Sequence, residues 1–272
     1  MPISSRSTFE DKYLAILLKR IRVCKRYKPK FGQGQKSGIS LSEFKKLYGA
    51  DAFYSWFGLD NPLMYAAHKA AGGITSVYRQ IGIGCEEVFQ QILQDQLGLS
   101  QDQVKWSYET QSSTGQKRKL SLDARISINN ITSVRQRARF ARWLAQAAAH
   151  LRIEPKMARA LNGAVFEVRQ GYKSKDSKRQ NADLANAATA YSQGYLPVVV
   201  VLSSQIDNDI VERYEHEKWL ILTGNLRGST IDSTYSFVRK VVGYDLANFF
   251  KQNSGVLKAT IADVLKTLLN SA

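Results

Sequence analysis

Between Thr8 and Tyr27 apolar residues recur at helical spacing, at Tyr13, Ile16, Leu17 and Ile21, while Lys19, Arg20, Arg22, Lys25 and Arg26 take the remaining faces. This spacing predicts an amphipathic helix with a basic side. The stretch KPKFGQGQKSG, from Lys28 to Gly38, has no periodicity and reads as a loop whose backbone amides and lysines suit phosphate groups. It lacks the GxxxxGKS/T spacing of a nucleotide-binding P-loop. Ser40 to Glu43 (SLSE) has the form of a capping box and should open a short helix running toward Tyr48. An aromatic segment follows, with Phe53, Tyr54, Trp56, Phe57 and Tyr65, and is expected to pack the N-terminal lobe, base stacking being the alternative. Gly72 and Gly73 mark the expected boundary between a basic, mostly helical lobe, 1–75, and a core with closing helices, 76–272.

In that core, residues 77–98 read as a helix with Val88, Phe89, Ile92 and Leu93 on its apolar face, stopped by Gly98. Two strands are expected over Val104 to Gln111 and Lys119 to Ile128. In the second, Leu120, Leu122, Ala124, Ile126 and Ile128 alternate with Ser121, Asp123, Arg125 and Ser127. Residues 134–152 carry a strong helical pattern that gathers Arg135, Arg137, Arg139 and Arg142. Pro155 and Gly163 bound a shorter helical piece. A strand from Ala164 to Gln170, a lysine-rich turn and a helix from about Arg179 to Tyr191 come next. The run LPVVVVLS, Leu196 to Ser203, is continuously apolar and β-branched, so it should be a central strand covered on both faces. Residues 235–250 and 255–269 read as closing helices. The order implies an α/β fold with a mixed central sheet flanked by helices.

Charge changes this picture. The 272 residues carry a net +16, distributed as +9 over 1–80, −1 over 81–133, +9 over 134–180 and −1 over 181–272. Two positive blocks around a neutral frame point to a polyanion, and nucleic acid is the leading partner. No apolar run is long enough to cross a bilayer, and residues 1–15 carry acids and lack a signal-peptide core, so no membrane partner and a cytoplasmic location are expected. The two cysteines, Cys24 and Cys85, are too few and too far apart for a disulfide scaffold or a zinc site. His68, His150 and His216 are isolated and suit surface or packing roles. Asp207, Asp209, Glu212, Glu215 and Glu217 read as a solvated helix face.

Three carboxylates stand where one cleft could gather them: Glu86 on the first core helix, Asp123 on a half-buried strand and Glu167 amid Val165, Phe166 and Val168. A buried ionised carboxylate needs a partner, either a metal ion or an arginine. The pattern resembles the PD-(D/E)XK nucleases, and among them the type II restriction endonucleases, over roughly residues 76–205. In that family an acid on one strand and an acid-x-lysine triplet on the next hold Mg²⁺, and a helix leads on to an apolar strand. The resemblance makes Asp123 in SLDARI the first acid, Glu167 in VFEVRQ the second and Glu86 in GCEEVF the helical glutamate. FEVRQGYKSKDSKRQNADLANA followed by YLPVVVVLS looks most like the ApaLI-like subgroup, which implies the target GTGCAC.

The family's lysine position holds Arg169, which keeps its proton and cannot act as a base, though it can steady charge on a phosphate. Lys173 and Lys175 could replace it, but in a straight strand Lys173 would stand about 20 Å from Glu167, so a bend at Gly171 is required. A second pairing, Glu109 with Asp123-Ala124-Arg125, also fits the spacing. Lys175, Lys178, Arg179, Lys28, Lys30 and Lys36 would grip the DNA backbone. Arg135 and Arg139, with Gln180 or Asn181, are candidate base readers. The resemblance implies Mg²⁺-dependent cutting of double-stranded DNA at a short site by a homodimer, with a companion methyltransferase for the same site. A repair or junction-resolving nuclease and a non-catalytic DNA-binding protein are the alternatives.

Overall fold

The computed structural model describes residues 8–31, 37–111, 117–171 and 186–270. Lys36, Lys173, Lys175, Lys178, Arg179, Gln180 and Asn181 lie outside the described residues. The chain divides into two compact units, Met1–Gly84 with Gln252–Ala272, and Cys85–Lys251. No helix among the described residues is long and apolar enough to cross a membrane.

The second unit is built on a mixed sheet flanked by helices. Its strands are β3 (Ala124–Ser127), β4 (Gly163–Arg169), β5 (Tyr195–Val201) and β6 (Leu220–Leu222), in spatial order β3-β4-β5-β6. β3 runs antiparallel to β4, and β4, β5 and β6 are mutually parallel. A continuous β-branched run suits an interior strand. Accordingly β5, the LPVVVV segment, is paired on both sides and buried on both faces. One face of the sheet sets Val165, Val199, Val201 and Ile221 against Ala187 and Ala190 of the helix at 186–192, and against Ile210 and Tyr214 of α8 (Asn208–His216). The other face carries a chain of aromatic contacts. Phe166 of β4 lies 5.5 Å from Phe89 of α4 (Pro62–Leu97) and 5.8 Å from Phe237 of α9 (Thr234–Phe237), and Trp143 of α5 (Val134–His150) lies 4.5 Å from Phe237.

The expected strand over 119–128 is two strands. β2 (Lys117–Leu122) pairs antiparallel with β1 (Trp106–Gln111) in a separate ribbon, whereas β3 joins the four-stranded sheet; the chain bends at Asp123 between them. Gly98 does terminate α4, at φ +69°, with Thr132 packed where a side chain would stand. β6 went unread in the sequence because LIL is too short to show a period. The closing helices differ as well. A π-helical turn (Val238–Val242) follows α9, and a single helix, α10 (Leu246–Leu269), then runs through Gly255. One glycine weakens a helix by only about 1 kcal/mol and need not stop it.

The boundary expected at Gly72-Gly73 is not a boundary, because both glycines lie inside α4. A side chain at 72 would strike the Tyr27 ring, and one at 73 would strike Leu268. These glycines permit close packing and do not mark a linker. The compact units change over at Gly84, and the C-terminal residues return to the first unit, where Val264 and Leu268 of α10 pack with Ile21 of α1 (Thr8–Val23), Cys24 and Val77. A second cluster in that unit joins Ile39, Phe44 of α2 (Leu41–Gly49) and Tyr65. The capping box at the start of α2 is formed in both directions, with the Ser40 amide donating to Glu43 Oε2 at 2.6 Å.

The aromatic segment packs only in part. Tyr65 is buried, but Phe53, Phe57 and Trp56 are exposed, Trp56 at 81%. Helix α3 (Ala52–Trp56) is five residues long, and a contiguous run such as FYSWF cannot turn every ring to one side. Replacing Phe166 with alanine should therefore cost about 3–5 kcal/mol in denaturant unfolding, whereas Phe53→Ala should cost less than about 0.5 kcal/mol. Equal losses would contradict this division between core and surface.

Candidate active site

The β3–β4 ladder ends at Ala124 opposite Phe166, and one further step along the same register would set Asp123 opposite Glu167. β2 and β3 separate at this point. The Val168 amide donates to Asp123 Oδ2 at 2.7 Å, so a carboxylate takes the place of the backbone carbonyl where the ladder ends. Gln90 of α4 fixes the same residue from another side, its amide donating to the Asp123 carbonyl at 2.6 Å. Asp123 is thus held by both its side chain and its backbone.

Glu167 and Arg169 are two residues apart and share the sheet face of Val165. Arg169 Nη2 stands 2.8 Å from Glu167 Oε1, and the pair is sheltered, at 7% and 12% exposure respectively. The sheltered glutamate thus has the buried arginine among its partners. β4 ends at Arg169 and a bend follows at Gln170, while Lys173, for which a bend at Gly171 would be required, lies outside the described residues. The ladder with the segment after β5 continues through the bend, the Leu202 amide donating to the Arg169 carbonyl at 2.9 Å and the Ser203 amide to that of Gln170 at 2.8 Å.

Glu86 approaches differently. It lies on α4 one turn before Gln90, but α4 packs on the Phe166 face of the sheet, opposite to the face that carries Glu167. The register therefore puts Asp123 and Glu167 at the same end of the β3–β4 ladder, and Glu86 lies on the helix that reaches Asp123 through Gln90. Among the described residues no group of three His, Cys, Asp or Glu side chains converges as a metal centre. Cys85, beside Glu86, is buried, and burial pushes its pKa up to about 12. Tyr235 is also pushed up to about 12, by burial first and by Cys85 second, and it donates to the Leu202 carbonyl at 2.9 Å.

The alternative pairing is not made. Glu109 stands opposite Lys119 in the ribbon, four residues and about 13 Å along the strand from Asp123. Arg125 donates instead to the carbonyls of Gln103, at 3.1 Å, and Asp102, at 3.4 Å. The arginines of α5 divide in two groups. Arg139 donates to the Val242 carbonyl at 3.1 Å at the end of the π-helical turn; desolvation, then Arg135, lowers its pKa. Arg137 is similarly committed to Ile131 at 2.7 Å. Arg139 therefore anchors backbone, whereas Arg135 is exposed, as are Lys28 and Lys30 in the other unit. His68 meets the Phe31 ring at 4.8 Å, as suits a packing role, and Asp207 caps α8. Gln90 escaped the sequence reading because it carries no charge; its spacing of four from Glu86 is the signal that places both on one side of α4.

Compared with known proteins, the chain matches no family model, no curated protein and no solved structure. The site's donor chemistry is legible without relatives. Mg²⁺ takes hard oxygen ligands, often one or two carboxylates completed by water and phosphate oxygens, and Asp123 and Glu167 fit that donor set.

A buried pair loses most when one partner alone is removed. Arg169→Met should destabilise the protein by about 3–5 kcal/mol, and adding Glu167→Gln should restore most of that loss in a double-mutant cycle of denaturant midpoints. Simple additivity would show that the two side chains do not depend on each other.

Proposed function

We propose that the protein is a Mg²⁺-dependent nuclease of double-stranded DNA, of the type II restriction kind. The observation that supports this reading is the β3–β4 ladder, which ends at Ala124–Phe166, one residue short of Asp123 and Glu167, where strands β2 and β3 part. Asp123 and Glu167 would hold the ion. When bound, Mg²⁺ supplies an activated water and neutralises the leaving oxygen of a phosphodiester.

The chain's own residues do the rest. The Val168 amide and Gln90 keep Asp123 from turning away, so its carboxylate is oriented before any ligand arrives. Arg169 holds Glu167 at 2.8 Å and keeps its charge at every relevant pH, so it can stabilise negative charge on a phosphate but cannot accept a proton. Exposed Lys28, Lys30 and Arg135 supply sequence-independent attraction to the DNA backbone. A short palindromic target, a homodimer that matches its symmetry, a companion methyltransferase and action in the cytoplasm complete the proposal.

One observation favours a second reading. The contact between Arg169 and Glu167 already supplies positive charge to the glutamate, as a protein that binds DNA without cutting it would permit. Plasmid digestion with and without Mg²⁺ distinguishes the two. The nuclease reading expects discrete fragments with Mg²⁺ and none without. Asp123→Asn, which keeps an acceptor for the Val168 amide, and Glu167→Gln should each cut at least about 100-fold more slowly yet bind DNA as the unaltered protein does. A mobility shift with no cleavage in any metal would support the binding protein, and full activity in either variant would remove that residue from the site.

A further inference from the structure

The unit formed by Met1–Gly84 and Gln252–Ala272 contains a cavity of about 450 Å³. This falls within the usual size of a small-molecule site. Four cations line it, Lys25, Arg26, Lys28 and Lys69, together with the rings of Tyr27 and Tyr65. Lys69 is the unusual member. It is only 8% exposed, and its Nζ donates to the Asn270 carbonyl at 2.8 Å. A lysine head carries three donors, and burying it is costly unless acceptors surround it.

The other walls are held firmly. The Ile39 amide donates to the Pro29 carbonyl at 3.1 Å, which fixes the backbone next to Lys28. Gly38 lies against the Lys28 carbonyl so closely that no side chain would fit there. Tyr65 stands one helical turn before Lys69 on α4 and donates to the Ile39 carbonyl at 3.0 Å. Two of the cations have acids nearby. Lys25 pairs with Asp263, and Lys28 is close enough to Glu43 to help lower its pKa, after the larger effect of the Ser40 hydrogen bonds. Among the described residues Arg26 and Lys69 form no ion pair.

We propose that this cavity binds the phosphate of a nucleotide, with Lys69 and Arg26 meeting the anion and the partly exposed Tyr27 ring beside the sugar or base. An aromatic ring beside a cluster of cations suits a nucleotide better than a bare inorganic ion. The phosphate can belong to a DNA backbone or to a free mononucleotide. This inference does not rest on the proposed catalytic site.

The test uses the full-length protein in buffer containing EDTA, so that cleavage plays no part. Two probes are titrated: deoxyadenosine 5′-monophosphate by calorimetry and a short fluorescein-labelled duplex by anisotropy. Lys69→Met should weaken binding of at least one probe about tenfold or more, as should the surface pair Arg26→Ala/Lys28→Ala. If Lys69→Met fails to fold, the surface pair decides the question. Saturable one-to-one binding of the monophosphate that is lost in the variants assigns the cavity to a free nucleotide. Loss confined to the duplex assigns it to backbone phosphate, provided that Lys45→Ala/Lys46→Ala, an exposed pair on α2, binds the duplex as the unaltered protein does. The proposal is overturned if the Arg26/Lys28 variant melts normally and binds both probes within about twofold of the unaltered protein, or if the Lys45/Lys46 control loses as much.

Discussion

Where β2 leaves the ribbon and β3 enters the main sheet, the edge of β4 runs out of backbone partners, and the Asp123 carboxylate takes the Val168 amide at 2.7 Å. A buried amide without an acceptor costs about 1–3 kcal/mol, so the residue at this bend is constrained by folding before chemistry is considered. The same constraint orients the side chain for chemistry. The β3–β4 ladder ends one residue short of Asp123 and Glu167, Gln90 fixes the Asp123 carbonyl from α4, and the Phe89–Phe166–Phe237 contacts on the far face fix the strand that carries the glutamate. The candidate site is thus an edge of the core, and its geometry is set by close packing rather than by a mobile loop.

Arg169 departs most clearly from the acid-x-lysine pattern of the nucleases that the sequence resembles. A lysine is a compact charge that can lose its proton, whereas a guanidinium is a planar, permanently charged donor suited to holding a carboxylate. At 7% exposure it stabilises Glu167 in a sheltered position, and it limits the chemistry of this pair to orientation and charge stabilisation.

Much of the second unit was legible in the sequence, for identifiable reasons. Alternation along 119–128 located a half-buried strand, and the unbroken Leu196–Ser203 run located an interior one, because period and burial are coupled in strands. The bend at Asp123 was not legible: alternation continues through it, and only the change of pairing partner reveals the break. Gly72 and Gly73 misled for a related reason. Glycine marks either a flexible joint or a close approach, and only the position of Tyr27 and Leu268 identifies the second. The return of the C-terminal segment to the N-terminal unit depends on contacts between distant residues, such as Lys69 with Asn270, 201 positions apart, which no local pattern encodes. Asp123 and Glu167 were found as chemistry-bearing types. Gln90 and the Val168 amide, which position them, have no such signature.

The most direct test of the account is a count of bound ions. Mn²⁺, a spin-active substitute for Mg²⁺, can be titrated into the full-length protein and followed by electron paramagnetic resonance. The account predicts a site occupied once per chain in the unaltered protein and lost in both Asp123→Asn and Glu167→Gln, with each variant folded. Unchanged occupancy in the two variants would show that these carboxylates do not share a metal ion.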